Sequence, residues 1–427
     1  MKYSMELTAV QRDILQGKQG DTLAKVMETL VRYGEIFGAT SMVPITSSYN
    51  HLVTSFGLKA LGPVYDLMNR LIKADAISKQ RFSADPRPLD PKVPSSFLQN
   101  IVFKHFMYSK QNFYEDQLKK LGLMDPDAFT CTCYMDEVGN TPKMGEVLSW
   151  SESSAVVYAN SVLGARCNRN SGIIDLMGSV VGYVPYFGLL TDDGRKADWV
   201  VEIKTSKKPE AQLLGSAIGM KVMEDVPYIV GLDSWLGELN EDAKTYLKDF
   251  GAATASNGAV GLYHVEGITP EAVEQGRALV RDNAQTYVID DAELQRIYES
   301  YPVIWKNKEA EPKLCFMGCP HMSFNQLVSW TEKIEEALAE VGRNRVGIPT
   351  VFTAAPAVLK RFKESPYAVR LEKTGVILSY ICPLMYMNNP LCSSMPVITS
   401  SNKLRTYTSA RYYTDEEILE QITKGGN

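Results

Sequence analysis

The sequence predicts an α/β fold with mainly parallel sheets, and three observations support this prediction. Short runs such as "WVVEI" and "VPYIVGL" have the length and composition of buried strands. Helical patterns such as "EAQLLGSAIGMKVM" and "EDAKTYLKDFGAATASNG" alternate with these strands. The C-terminal third repeats the alternation with "KLCFMG", a helix that starts after Ser323, "GIPTVFTA" and "VILSYIC". The pattern therefore favours several α/β subdomains.

The N-terminal elements are predicted from spacing and turn residues. "ELTAVQRDILQGKQGDTLAKVMETLVRYGEIFGA" has apolar residues at helical spacing around a glycine-containing turn, which predicts two helices before the strand-like "TSMVPIT". After a helical stretch near Leu58 to Ile77, the proline-rich "SADPRPLDPKVPSS" predicts a surface linker or an extended crossing. Further along, "AVGLYHV" predicts a strand and "TPEAVEQGRALV" a helix with proline at its first position.

Length and composition indicate a protein of enzyme size with more than one core. The chain has 427 residues, of which 45% are hydrophobic and 22% are charged. We expect subdomains at residues 1–125, 126–285 and 286–427.

Charge and hydropathy limit the classes of partner. The net charge is -5 and no Lys/Arg stripe with interleaved aromatic residues is present, so we expect no nucleic-acid partner. The start "MKYSMELTAVQRDIL" does not have the pattern of a signal peptide, which favours the cytoplasm. The most apolar segment, "SGIIDLMGSVVGYVPYFGLL", contains Asp175, Pro185 and several glycines, and we interpret it as buried core rather than a membrane span.

The seven cysteines are expected to be free thiols or metal ligands rather than a disulfide framework. Ser323 and Gln326 fit a capping box, which predicts a helix from about Phe324 and places Cys319 in the loop after a buried strand. Cys382 has the same context of strand, cysteine, proline and loop.

Three kinds of cysteine chemistry remain open from spacing alone. A zinc site is weakly indicated, because the close pairs Cys131/Cys133 and Cys315/Cys319 have no matching histidine pair. A nucleophilic Cys319 would need His321 as its partner, and a separation of two residues seldom gives that geometry. Widely spaced loop cysteines suit an iron–sulfur cluster, since three thiolates leave one iron open to a substrate oxygen.

A candidate anion site lies in "SWSESSAVVYANSVLGARCNRN". Ser151, Glu152, Ser153 and Ser154 crowd the start of a helix, where free backbone N–H groups and the helix dipole favour an anion. At the far end of this helix, Arg166 and Arg169 flank Asn168 and could clamp a carboxylate by bidentate hydrogen bonds. The alternative is a capped helix with a solvated basic end.

Several blocks of the sequence resemble a known family. The blocks "CTCYMDEVGNTPKMGEVLSWSESSAVVYANSVLGARCNRN", "LKDFGAATASNGAVGLYHVEGITPEA" and "GCPHMSFNQL" are similar to the aconitase X family, specifically its large, catalytic subunit. The resemblance runs from "LQGKQGDTLAKVMETLVRYGEIFGA" to "VITSSNK" and covers nearly the whole chain. It implies an aconitase-like arrangement of α/β domains around an iron–sulfur cluster, either 4Fe-4S or smaller. It also implies reversible loss of water from a small hydroxy acid.

The resemblance implies a role for particular residues. Cys131, Cys319 and Cys382 would hold the cluster, whereas Cys133 and Cys167 would not. The expected catalytic residues are Glu152, Ser153 and Arg166. The expected substrate-binding residues are Ser47, Ser48, His51, Ser151, Ser154, Asn168, Arg169 and Lys403.

The resemblance also implies a partner and a choice of substrates. A small swivelling-domain companion subunit would supply a serine as the base. The family's substrates are cis-3-hydroxy-L-proline and a phosphorylated mevalonate, and the mesophile-like composition favours the first. The alternatives are a phosphomevalonate dehydratase large subunit and a non-catalytic cluster-binding paralogue. The latter is suggested by Tyr380 and Ile381, which stand where the family commonly has Asp-Thr.

Overall fold

Two parallel sheets organise the protein, and the computed structural model describes residues 3–425. The four-stranded sheet has the order His264–Val265, Pro227–Val230, Ala197–Ile203 and Val280–Ile289. The five-stranded sheet has the order Ile377–Ser379, Thr350–Ala354, Leu314–Met322, Val397–Thr399 and Arg411–Tyr412. The predicted α/β fold with mainly parallel sheets is confirmed.

Two smaller sheets complete the strand arrangement. Tyr49–Leu52 pairs in parallel with Arg81–Ala84, and Met42–Pro44 pairs antiparallel with Tyr183–Pro185. The first pair matters for function, because its strands end beside the cavity described below.

Helices cover both main sheets. The α-helices are Ala9–Leu15, Asp21–Ile36, Gly62–Lys73, Phe97–Ile101, Gln111–Leu121, Ser153–Ser161, Gly172–Val181, Ala211–Val222, Asp233–Leu236, Glu241–Asn257, Pro270–Gln275, Asp291–Glu299, Phe324–Glu340, Pro356–Lys363, Pro366–Lys373, Pro383–Met387, Asn402–Tyr407 and Asp415–Lys424. A π-helical stretch covers Val102–Met107, and short 3-10 turns cover Gly188–Leu190, Asp193–Arg195 and Gly276–Leu279. Across residues 3–425, each helix is too short or too polar to cross a membrane.

The central strand Leu314–Met322 passes through the five-stranded sheet and is almost wholly buried, as expected for a parallel strand covered on both faces. Ser323 caps the next helix as predicted, with both capping-box bonds formed to Gln326. The strand is longer than predicted, however, and Cys319 lies within it rather than in a following loop. The Thr353 hydroxyl donates to the Gly318 carbonyl at 2.7 Å, where the pairing register shifts, so the strand continues as an irregular one.

Two other sequence predictions need correction. Of the two alternatives for the proline-rich segment, the surface linker is wrong and the extended crossing agrees with the structure: the segment begins within the strand Arg81–Ala84, continues without a helix to Ser96, and Asp90 accepts a hydrogen bond from Ser379 at 2.8 Å in the interior. The helix predicted at "TPEAVEQGRALV" ends at Gln275 and a long strand follows. That strand, Val280–Ile289, spans residue 285, and the subdomain boundaries stay predictions.

Candidate active site

A cavity of about 220 Å³ brings together the three cysteines that were expected to act together. Cys131, Cys319 and Cys382 all line it, and all three are free thiols. They come from distant parts of the chain: an extended loop, the central strand, and the N-cap of the helix Pro383–Met387. The other lining residues include Asp85, Glu152, Ser153, His321 and Lys403, with Val53, Phe56, Leu384 and Met385 as apolar neighbours.

His321 connects the three cysteine segments by hydrogen bonds. Its side chain is fully buried, with Nδ1 3.0 Å from the Thr130 hydroxyl and Nε2 3.1 Å from the Ile381 carbonyl. Since a carbonyl can only accept, Nε2 carries the proton and Nδ1 accepts from Thr130. Burial lowers the pKa of His321 to about 4, so the ring is neutral at ordinary pH. The histidine therefore positions the neighbours of Cys131 and Cys382 relative to its own strand, which contains Cys319.

A buried ion pair forms the charged side of the cavity. Lys403 Nζ donates to Glu152 Oε1, which also accepts from the Ser154 hydroxyl at 2.8 Å and the Ser154 N–H at 3.2 Å. Burial alone would raise the pKa of Glu152, but Lys403 and the Ser154 donors lower it to about 2. In turn, burial disfavours the Lys403 ammonium, and Glu152 outweighs this effect and raises the pKa of Lys403. Both groups stay charged across the physiological range.

Asp85 is a cavity residue that sequence reasoning missed. It directly follows the strand Arg81–Ala84, and its Oδ1 lies 3.3 Å from Nε2 of the buried His51. Within residues 3–425 neither atom has a hydrogen-bond partner, although His51 Nδ1 contacts the Ser83 hydroxyl at 2.9 Å. Burial, followed by the nearby charge of Glu152, raises the pKa of Asp85 well above its ordinary value. The sequence did contain a signal for Asp85, because an acidic residue directly after a strand of a parallel sheet is a candidate site residue. The proline-rich composition that follows led to the prediction of a linker instead.

The expected residues at the helix start are partly in the cavity. Glu152 is the N-cap of the helix Ser153–Ser161 and Ser153 lines the cavity, while Ser154 supports Glu152 from behind. Ser151 accepts from the Val53 N–H at 2.8 Å and thus fixes the neighbouring loop.

The structure does not bring Arg166 to the cavity. Its guanidinium donates to the Leu190 carbonyl at 2.9 Å and pairs with the exposed Asp192. Arg169 is exposed and donates to the Ala259 carbonyl. Arg169 also lies outside the cavity lining. Partial shielding from water lowers the pKa of Arg169, and this outweighs the opposite effects of Tyr407 and Glu152, which both line the cavity. Of the two arginines, Arg169 is thus the one within electrostatic reach of the site.

Four other expected binding residues lie outside the cavity lining, and one of them is His51, whose Nε2 contacts Asp85 Oδ1. The Asn168 amide donates to the Phe187 carbonyl at 3.0 Å and accepts from the Leu189 N–H at 2.8 Å. Ser47 is buried and Ser48 is exposed, and neither lines the cavity.

The donor set of the cavity fits an iron–sulfur cluster better than a single metal ion. Within residues 3–425 no three His, Cys, Asp or Glu side chains converge closely enough to hold one ion. A cluster differs, because each cysteine binds a different iron atom and the thiolates need not converge. Cys133, Cys167, Cys315 and Cys392 are fully buried outside the lining, so three of the seven thiols remain as donors in the cavity.

A larger cleft of about 1000 Å³ shares Gly318 and Cys319 with this cavity. Its lining mixes Lys207, Lys208 and Lys333 with carboxylates and does not include Cys131 or Cys382. The smaller cavity therefore carries the candidate chemistry.

Comparisons with known proteins point to one family. Residues 4–193 match the aconitase X first domain and residues 197–299 match the aconitase X second domain. The phosphomevalonate dehydratase large subunit of Thermococcus kodakarensis is 32% identical over 88% of this chain and 89% of its own. The cis-3-hydroxy-L-proline dehydratase of Hypocrea jecorina is 26% identical over 96% of this chain and 67% of its own.

A solved structure, the holo-form of Thermococcus kodakaraensis aconitase X, covers 98% of this chain and 100% of its own with a TM-score of 0.79 and 29% identity. The fold and these relatives define the class as a hydro-lyase, a dehydratase, as predicted. The chain belongs to the aconitase X family.

Proposed function

We propose that this chain is the large subunit of an iron–sulfur dehydratase that acts on phosphomevalonate. The observation that carries the proposal is the cavity in which Cys131, Cys319 and Cys382 face Asp85 and the Glu152–Lys403 pair. The sequence favoured cis-3-hydroxy-L-proline, and the comparisons support the alternative better. Identity is 32% to the phosphomevalonate enzyme and 26% to the hydroxyproline enzyme.

The chemistry of dehydration sets what the residues must do. Loss of water next to a carboxylate needs a base for the carbon-bound proton and assistance for hydroxide, which is a poor leaving group. When bound, the cluster would supply a Lewis acid for the departing oxygen. The three cysteine thiols would hold it as thiolates.

Asp85 is suited to be the proton donor. Burial and the nearby charge of Glu152 raise its pKa, which favours the protonated carboxyl, and the residue lines the cavity with its Oδ1 3.3 Å from His51 Nε2. A protonated carboxyl in this position can deliver its proton to the leaving hydroxyl.

Glu152 has a different role from the catalytic one expected from the sequence. With a pKa of about 2 it is a weak base, and its oxygen is already bound by Lys403 and Ser154. Glu152 therefore fixes the Lys403 ammonium, whose positive charge would stabilise negative charge that develops on the substrate. The base would come from the companion subunit that the name of the Thermococcus kodakarensis relative implies.

Arg169 and the helix start at Ser153 are proposed to hold the anionic groups of the substrate. Arg169 is the exposed cation near Glu152 and Tyr407, and its fork retains donors beyond the one used on Ala259. Arg169→Lys keeps the charge and loses the planar fork, so we expect kcat/KM to fall about 10- to 100-fold. Arg166→Lys is the matched control and should leave kcat/KM unchanged, because Asp192 and Leu190 hold that side chain elsewhere.

The substrate is tested with the two-subunit enzyme. The chain is co-expressed with its companion subunit, purified anaerobically, and assayed on phosphomevalonate and on cis-3-hydroxy-L-proline. We expect kcat/KM at least tenfold higher on phosphomevalonate. A preference for cis-3-hydroxy-L-proline would contradict the substrate assignment, and an iron-loaded complex without turnover on either would indicate the non-catalytic paralogue.

A further inference from the structure

One helical segment presents large apolar side chains to solvent along one face. The segment joins the helix Phe97–Ile101 to the π-helical stretch Val102–Met107. Leu98, Val102 and Phe106 follow one another at four-residue spacing, about one turn each, and therefore lie on the same side. Leu98 is 57% exposed and Phe106 is 61% exposed. We call this face the apolar stripe; the preceding residue, Phe97, is 83% exposed and lies about 100° around the helix from Leu98.

The stripe is part of an ordered element. Ser96 and Gln99 form a complete capping box, with the Gln99 N–H donating to Ser96 Oγ at 3.2 Å and the Ser96 N–H donating to Gln99 Oε1 at 2.6 Å. The opposite face is fixed by the buried Phe103 and by Tyr108, whose hydroxyl donates to the Met385 carbonyl at 2.6 Å. The exposed stripe therefore belongs to a segment that hydrogen bonds and packing hold in place.

The stripe adjoins the cavity with the cysteines. Met385, which receives the Tyr108 hydrogen bond, lines that cavity. On the other side, the Lys59 N–H donates to the Met107 carbonyl at 2.8 Å, just after the cavity residue Phe56. A molecule seated on the stripe would thus contact the loops that surround the cavity.

We infer that the apolar stripe is the docking surface for the companion small subunit, and this inference rests on the two-subunit enzyme proposed above. Exposed apolar side chains aligned on an ordered helix mark an interaction site, because burying them removes apolar surface from water.

The lengths of the relatives favour a second, different polypeptide as the occupant. The phosphomevalonate relative is named a large subunit, and this chain spans 89% of it. The Hypocrea jecorina dehydratase is matched over 67% of its length, so about a third of that single chain lies outside the match. A separate small subunit is the counterpart of that additional third.

The residues beside the stripe indicate the chemistry of the partner. Lys104 and His105 are exposed on the same helical segment and directly precede Phe106. The partner surface that fits is an apolar groove with an acidic rim, as in other complexes where a helix lies in a groove. The groove would receive Leu98 and Phe106.

Affinity between the two subunits tests the inference without any substrate. The chain and the small subunit from the same organism are co-purified, and the Kd is measured by titration and size-exclusion chromatography. We expect a one-to-one complex, and Leu98→Asp and Phe106→Asp should each raise the Kd at least tenfold. Val273→Asp is the matched control, because Val273 is also 61% exposed but lies on the helix Pro270–Gln275.

Three results would overturn the assignment. These are a wild-type chain that forms no complex, an unchanged Kd for both stripe variants, or a wild-type homodimer that the stripe variants dissolve. Binding is measured apart from turnover, so an incorrect substrate assignment leaves this test intact.

Discussion

The two walls of the cysteine cavity differ in what holds them in place. The cysteine wall consists of Cys131, Cys319 and Cys382 with His321, and neutral hydrogen bonds from His321 fix it. The charged wall consists of Asp85, Glu152 and Lys403, and an ion pair fixes it. On the function proposed above, the difference separates two tasks: one wall would offer soft donors to a metal cluster, and the other would offer protons and charge to a substrate.

The electrostatics of the two walls follow the same division. Burial raises the pKa of Cys131, with Lys403 opposing that rise, so the thiol is neutral until a metal displaces its proton. On the charged wall, opposite charges overcome burial for Glu152 and Lys403. Changes to the cysteine wall should thus remove iron, whereas changes to the charged wall should remove turnover and leave iron in place.

The largest expected effect comes from the cysteines themselves. Ala at Cys131, Cys319 or Cys382 should remove most of the bound iron, the broad visible absorption and the turnover, because no other thiol is available in the lining. Iron per chain after anaerobic purification checks this prediction.

The matched controls for these variants are two buried cysteines outside the cavity lining. Cys133→Ala and Cys315→Ala should retain iron, since both thiols pack in the core. Loss of iron in Cys133→Ala with retention in Cys131→Ala would show that the ligand in this loop is misassigned.

A smaller effect is expected from the residue that ties the cysteine wall together. His321→Leu removes the hydrogen bonds to Thr130 and Ile381, so iron content should fall several-fold while all three thiols remain. His264→Leu is the control, because His264 is also buried, has a pKa that burial lowers to about 4, and bonds the Arg195 carbonyl away from the cavity. Equal iron content in the His321→Leu and His264→Leu variants would contradict the positioning role of His321.

The smallest effect on iron content and turnover is expected at Asp175, which lies outside the cavity lining. Asp175 is fully buried, accepts from Ser149 at 3.0 Å, and burial raises its pKa to about 7. The pKa of Asp175 is higher in the folded than in the unfolded state. Its contribution to the free energy of unfolding is therefore complete below about pH 4 and is lost as the pH rises through 7.

Asp175→Asn removes this titration without touching the cavity. Between pH 4 and pH 8 the free energy of unfolding of the wild type should fall relative to the variant by up to about 4 kcal/mol. Denaturant unfolding at several pH values measures this difference. If the difference in free energy of unfolding between the wild type and the variant were constant across that pH range, Asp175 would be ionised throughout.

Local signals in the sequence predicted the framework well. The helix start at Phe324 followed from Ser323 and Gln326, whose hydrogen bonds lie within one turn. Alternating strands and helices predicted the parallel sheets for the same reason, because strand length and helical spacing are local properties.

Long-range contacts set the limits of sequence prediction. Asp85 was missed because its strand pairs with Tyr49–Leu52, about 30 residues away, and only this pairing carries it into the interior. The choice between Arg166 and Arg169 depends on Asp192 and Ala259, which are distant in sequence. The spacing of residues within one segment cannot predict partners that are this far apart in sequence.

The most direct test of the division between the walls is Asp85→Asn, measured for both iron per chain and kcat in the anaerobically purified two-subunit enzyme. The amide keeps the shape of the side chain and cannot donate a carboxylic proton. We predict wild-type iron content with kcat reduced about 100-fold or more, since a positioned general acid typically contributes on that scale. Loss of iron together with turnover, or unchanged kcat, would contradict the separation of the two walls.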